Sequence, residues 1–324
     1  MALNLMIFYN KFKNLFLLDM FKTTYYTIFF FVFSFFGLLG QEVKVSVGDS
    51  LSEKQIVRPQ TVNSSLWKKN FKVAALVNQT SFNNDWKGGG ASNLATNANI
   101  EYKVNYKKGT WALDNIMRLA YGITKLNEEK KFRKTDDNVE LNATLFKNIN
   151  NTLWSYSTFF NFKSQFAKGY NFKKDNSRIL ISDRLSPAFF QFGPGVLYKK
   201  SENFKVNIAP STARLILVDP FFTQTKSAFG VEKGKAQNVE FGASIIANYK
   251  FILAKNVTIE NLMNLYSNYL GNVSNVDIDY TLNMNSKINK HMSANFTFQA
   301  IYDDDTVRAF QIRELISLGL NLEI

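Results

Sequence analysis

The sequence predicts an all-β protein, a single closed antiparallel up-and-down transmembrane β-barrel of roughly twelve strands. Three observations carry that prediction. Apolar and polar residues alternate with period two over stretches long enough to cross a bilayer. Short and long connections alternate between those stretches, and an apolar segment of the export type precedes them all.

Composition sets the frame. Of 324 residues, 46% are hydrophobic, 15% aromatic and 20% charged, which excludes a wholly disordered polymer. The absence of cysteine excludes disulfides, thiolate zinc sites, iron–sulfur clusters and cysteine nucleophiles. A single histidine, His291, excludes histidine-rich metal sites, and no cofactor or metal is expected. The mean hydropathy of −0.17 excludes a bundle of transmembrane helices. The net charge of +13 is spread along the chain among many asparagines, without a basic cluster, so no nucleic-acid partner is expected.

Taken from the N-terminus, residues 26–39 form the one long apolar run, of the length of a signal-peptide core rather than a membrane span. Lys22 supplies the positive flank, and Gly37 and Gly40 offer small residues for cleavage. Residues 1–40 therefore read as a signal peptide, with Met20 a possible true start, and residues 41–66 as a polar extension. A single anchor holding a soluble domain is the competing reading of the same run. No cysteine follows the core, so lipid attachment is excluded.

The barrel is expected over residues 67–324. Its cleanest strand places Asn97, Asn99, Glu101, Lys103 and Asn105 on one face, with Ala98, Ile100, Tyr102, Val104 and Tyr106 on the other. A second does the same with Asp277, Asp279, Thr281, Asn283, Asn285 and Lys287 against Val276, Ile278, Tyr280, Leu282, Met284 and Ile288. On a helix such polar residues would point to every side. Soluble strands average about five or six residues, whereas a tilted bilayer-crossing strand needs about nine to eleven. The spacing predicts strands over 68–82, 91–106, 110–125, 137–148, 153–166, 187–199, 204–219, 241–254, 257–269, 276–288, 292–302 and 309–324. The third, fifth and seventh alternate less cleanly.

Between these strands, tight turns at 107–109, 150–152, 200–203, 255–256 and 289–291 take turns with longer polar links at 83–90, 126–136, 167–186 and 220–240. That is the pattern of short periplasmic turns and longer outside loops. Tyr102, Tyr106, Trp111, Trp154, Tyr156, Tyr198, Tyr249, Tyr266 and Tyr302 fall near strand ends or on apolar faces, as interfacial girdles require. Within a barrel, the alternation makes Asn99, Glu101, Lys103, Asp277, Asp279, Asn283 and Lys287 lumen-lining. It makes Ile100, Tyr102, Val104, Ile278, Tyr280 and Leu282 lipid-facing.

Three segments carry a resemblance. Ser81-Phe82-Asn83-Asn84-Asp85-Trp86-Lys87-Gly88-Gly89-Gly90 resembles the opening signature of domain of unknown function 3078, a Bacteroidota family. Ser182-Asp183-Arg184-Leu185-Ser186-Pro187-Ala188-Phe189 resembles a second signature and Ala209-Pro210-Ser211 a third. The resemblance implies an outer-membrane β-barrel without an established activity. The C-terminus departs from common barrel practice by ending Asn321-Leu322-Glu323-Ile324 instead of in Phe.

The candidate chemistry is sparse. Gly88-Gly89-Gly90 lacks the Lys-Ser/Thr and helix of a phosphate-binding loop and reads as an outside turn. Asp303-Asp304-Asp305 lacks calcium-loop spacing and reads as a solvated turn. His291, Ser293 and Asn295 form the one set suited to acyl transfer, but residues two apart on a strand lie about 7 Å apart, too far for a direct Ser–His hydrogen bond. No catalytic residue is therefore expected. Asp277 and Asp279 are expected to pair with Lys287 inside the barrel.

The function expected is a narrow passive pore or a structural barrel in the outer membrane of a Gram-negative bacterium. Its partners would be outer-membrane lipids, periplasmic chaperones and the barrel-assembly machinery, with the oligomeric state left open. Two rivals stand beside it: an outer-membrane hydrolase centred on His291, and a soluble periplasmic β-protein that binds a small ligand. A lipocalin-like barrel would show the same alternation with its faces exchanged.

Overall fold

The computed structural model describes residues 66–80, 93–126, 132–172 and 177–323. The leader, nearly all of the polar extension and Gly88-Gly89-Gly90 lie outside the described residues.

Among the described residues, fourteen strands and one short helix are formed. The strands are β1 (Trp67–Thr80), β2 (Asn93–Lys108), β3 (Trp111–Leu126), β4 (Arg133–Asn148), β5 (Trp154–Ser164), β6 (Gly169–Phe172) and β7 (Arg178–Ser182). They continue with β8 (Ala188–Ser201), β9 (Phe204–Leu217), β10 (Gln237–Ala254), β11 (Val257–Asn268), β12 (Val276–Lys287), β13 (Met292–Asp303) and β14 (Val307–Glu323). The helix α1 spans Pro220–Thr223. Twelve strands close a barrel in the order β1-β14-β13-β12-β11-β10-β9-β8-β5-β4-β3-β2, while β6 and β7 pair as a separate hairpin. Closure comes from antiparallel pairing of β1 with β14, running from Lys72 opposite Glu323 to Val77 opposite Leu318. A closed ring has no sheet edge, which lets it satisfy its backbone in a lipid environment.

The expected strand number is the one observed, and most ends differ by one to three residues. Two strands begin four residues earlier than the sequence suggests, at Arg133 and Gln237. The first addition, Arg133-Lys134-Thr135-Asp136, is polar throughout, so the pattern is silent there, whereas the second carries an outward Val239 beside an inward Glu240. Two long links also carry structure of their own. Residues 167–186 contain the β6–β7 hairpin and 220–240 contain α1.

Turn chemistry is local. Gly109 takes φ +58° in the two-residue connection between Lys108 and Trp111. Asn150 and Asn151 take φ 49° and 59°, the left-handed pair that a tight hairpin needs and that asparagine tolerates. At Ala209-Pro210-Ser211 the ladder shifts against both neighbours, between Phe192 and Val196 on β8 and between Gly242 and Ser244 on β10. An odd residue inserted in a strand exchanges its faces. Asn207 and Ala209 face inward before the bulge, and Thr212, Arg214 and Ile216 face inward after it. This is why the seventh predicted strand alternates poorly as a sequence.

The exposure pattern is inverted relative to a soluble protein. Ile312, Ile316, Leu318, Leu320 and Leu322 are exposed on one face of β14, with Ile316 at 69%. The inward positions Gln191, Glu240, Ser244 and Ser293 are buried. Apolar side chains turned outward and polar ones inward suit a lipid surround, and this overturns the soluble lipocalin-like rival. The barrel is of the outer-membrane type.

Aromatic pairs mark both rims of the apolar band. Toward the short turns, Trp67 meets Tyr106 at 4.6 Å, Trp154 meets Tyr198 at 5.0 Å and Phe204 meets Tyr249 at 5.6 Å. Toward the long loops, Tyr121 meets Phe166 at 5.4 Å and Tyr302 meets Phe310 at 5.3 Å. Tyr266 does not belong to a girdle as expected. It faces inward, is 2% exposed, and lies 3.9 Å beneath the Arg214 guanidinium.

Candidate functional site

Contacts between strands that are not neighbours in the ring can only cross the interior, so they fix which face is the lumen. Asp277 Oδ2 on β12 meets Arg214 Nη1 on β9 at 2.6 Å, and Asp279 Oδ2 meets Lys163 Nζ on β5 at 2.6 Å. Arg313 on β14 reaches Asp136 on β4 at 2.6 Å. The polar face of each strand therefore points into the barrel.

Each sequence-singled residue can be placed against that reference. On β2, Lys103 Nζ lies 2.8 Å from Glu101 Oε1, and Arg118 Nε on β3 lies 3.1 Å from Glu101 Oε2. Asn99 sits on the same face, opposite Ala74 and Ala120. On β12, Asn283 Oδ1 accepts from Thr297 Oγ1 at 2.9 Å. Ile100, Tyr102, Ile278, Tyr280 and Leu282 occupy the opposite, outward face, as does Val104, which is largely covered. Tyr280 also hydrogen-bonds the outward Asn261, its hydroxyl 2.8 Å from Oδ1, which satisfies a polar group on the apolar band.

The expected pairing of Lys287 with Asp277 and Asp279 is corrected. Lys287 ends β12 at the short-turn rim opposite Ser293, eight to ten residues down the strand, roughly 27–34 Å at 3.4 Å per residue. The aspartates instead find cations on strands across the ring. Arg214 is the hub there, touching Glu240 at 3.3 Å and Asp277 at 2.6 Å with Tyr266 under its plane. Gln299 Nε2 adds a bond of 3.0 Å to Asp279 Oδ1, and Asn264 Nδ2 one of 3.1 Å to Gln191 Oε1. Arg118 and Lys163 lie on the third and fifth predicted strands, whose alternation is less clean, and were not singled out as lumen residues. Nor was Arg214, because the bulge at 210–211 reverses its parity.

At the long-loop end the interior is apolar. Ile216, Val218 and Val231 form a buried cluster, with Phe189, Phe222 and Phe229 packed on it. The β9–β10 connection is folded back on the strand ends through Asn238 Nδ2 to Gly230 O at 3.0 Å and Thr223 Oγ1 to Lys235 O at 2.6 Å. Ser186, in the second signature segment, accepts from the Asp219 amide at 2.7 Å and ties the two loops together.

The His291, Ser293 and Asn295 set does not assemble as a triad. His291 is exposed in the β12–β13 turn. Ser293 Oγ is buried and accepts from Asn295 Nδ2 at 3.0 Å and Asn321 Nδ2 at 2.8 Å. Among the described residues, no group of acidic or histidine side chains is placed to hold a metal ion.

Residues 77–170 match the family described as Protein of unknown function (DUF3078). The matched span runs from the end of β1 to the start of β6. No curated protein matches the chain. Solved structures similar to it include the translocator domain of the autotransporter NalP from Neisseria meningitidis, 9% identical, covering 81% of this chain and 89% of that one, at a TM-score of 0.36. An outer membrane channel from Pseudomonas putida F1 is 10% identical, covering 79% and 94%, at 0.36. Outer membrane phospholipase A from Escherichia coli is 11% identical, covering 82% and 94%, at 0.33. Scores of this size carry no functional argument.

Proposed function

We propose that this chain is an exported outer-membrane barrel whose lumen is closed at rest, serving as a structural barrel or at most a narrow passive pore. The observation that carries this reading is the ion pair between Lys163 and Asp279, which joins strands far apart in the ring through the interior. The Arg214 hub and the apolar cluster around Val231 support it at successive levels toward the long-loop end. Outer-membrane lipids would surround the band, and assembly would use periplasmic chaperones and the barrel-assembly machinery. The leader would be removed near Gly40, which N-terminal sequencing of the envelope protein checks by finding Gln41 close to the mature start.

The reading is non-catalytic. Ser293 has its hydroxyl held by two asparagine amides, an arrangement that orders a lumen side chain and does not deprotonate it. The refolded barrel should hydrolyse no phospholipid, and His291→Ala should leave that unchanged. Planar-bilayer recording is the deciding experiment: small or absent steady currents are expected, and large steady currents overturn the closed lumen.

A further inference from the structure

Below the charged middle of the barrel, toward the short turns, β3, β4, β8, β9 and β10 enclose a cavity of about 50 Å³. Asp114, Lys205, Asn207 and Asn248 supply polar wall, and Leu197 and Ile246 supply apolar wall. We propose that this cavity binds one small monovalent anion, a halide or a short carboxylate. The inference is separate from the closed-lumen reading, since it holds whether or not the barrel conducts.

Asn207 gives the first argument. Its Oδ1 accepts from Ser157 Oγ at 2.6 Å, and Nδ2 is the other end of the amide. Asn207 is only 5% exposed, yet that Nδ2 has no hydrogen-bond partner. A buried donor without an acceptor is unfavourable, so an acceptor belongs beside it.

Charge gives the second. Asp114 Oδ2 is shared by two ammonium groups, Lys199 at 3.1 Å and Lys205 at 3.6 Å. Lys199 takes the shorter contact and also reaches Glu202 at 2.9 Å, outside the cavity on a largely exposed side chain. Lys205 is left without a carboxylate of its own. Glu260 is engaged by Asn248 Nδ2 at 3.0 Å. An ammonium with spare donors and an orphan amide N–H₂ line the same small cavity, and both favour an acceptor of negative charge.

Size gives the third. A space of about 50 Å³ is larger than the roughly 30 Å³ share of one liquid water and far below the 300 Å³ and more of a drug-sized pocket. It is the scale of a single small ion.

The test uses the refolded full barrel in detergent, with gluconate replaced stepwise by chloride, and in parallel by formate, at constant ionic strength. The wild type should unfold at progressively higher temperature and then saturate; the salt that saturates lower distinguishes halide from carboxylate. Asn207→Leu and Lys205→Met should each raise the half-saturating concentration at least tenfold while keeping the gel-mobility shift of a folded barrel. Crystals grown in iodide should show an anomalous peak against Asn207 Nδ2, a readout that needs no variant. No anomalous peak there, or anion titrations identical in wild type and folded variants, overturns the proposal and leaves a water as the partner of the amide.

Discussion

Lys163 on β5 and Asp279 on β12 meet with Nζ 2.6 Å from Oδ2, although β8, β9, β10 and β11 stand between their strands along the shorter way round the ring. A pair of that kind cannot form across an open channel. It requires the interior to be narrow enough for two side chains to span it. Each of the two retains about a third of its exposure, at 32% and 30%, so the pair sits in a wet, constricted lumen.

Removing one partner should be costlier than removing both. Lys163→Met strands the Asp279 carboxylate with Gln299 alone and should destabilise the barrel by about 1–3 kcal/mol, less than the 3–5 of a fully buried pair because the site is partly hydrated. Lys163→Met with Asp279→Leu should recover most of that loss. Urea unfolding of the three proteins in lipid, read as a double-mutant cycle, checks it; additive losses would mean that the two residues do not couple.

Opening the lumen should take changes at two levels. Arg214→Ala releases the bond to Asp277, the contact to Glu240 and the stack on Tyr266 in one step. Combined with Lys163→Ala, it should convert a barrel with little conductance into one with resolvable steady channels. Unchanged current traces in the double variant would place the barrier elsewhere, with the apolar cluster around Val231 the next element to remove.

Adjacent residues on β12 should respond oppositely to charge. Leu282 faces outward opposite Phe298, whereas Asn283 faces the lumen and bonds Thr297. Leu282→Arg should cost about 2–4 kcal/mol if it lies near the midplane, and Asn283→Arg much less. The yields of heat-modifiable barrel after refolding measure the difference. Equal yields would contradict the face assignment.

Glu314 places a carboxylate on the apolar band. It lies outward on β14 between Ile312 and Ile316, which are 64% and 69% exposed, and opposite Phe298 on β13. A carboxylate turned to lipid is unfavourable, so Glu314→Leu should stabilise the barrel by about 1 kcal/mol against urea. Loss of stability in that variant would show that a partner shields Glu314 in the membrane.

The sequence alone determined what depends on neighbours along the chain. Alternation from Asn97 to Tyr106 and, with Ser286 the one polar residue on the apolar side, from Val276 to Lys287 settled strand identity and both faces, because the side-chain period of a strand is two wherever it lies. Turn residues such as Gly109, Asn150 and Asn151 were legible for the same reason. Alternation could not say which face meets lipid, since a lipocalin-like barrel and an outer-membrane barrel share it, and only the exposure of Ile316 beside the burial of Glu240 decided that. Nor could it pair Asp279 with Lys163, 116 positions away, or send Asp277 to Arg214 instead of Lys287. Those partners are set by ring closure and by the bulge at Pro210 and Ser211, which turns Arg214 inward. Both belong to the tertiary structure, because a lumen contact depends on which strands stand across the barrel and no local pattern encodes that distance.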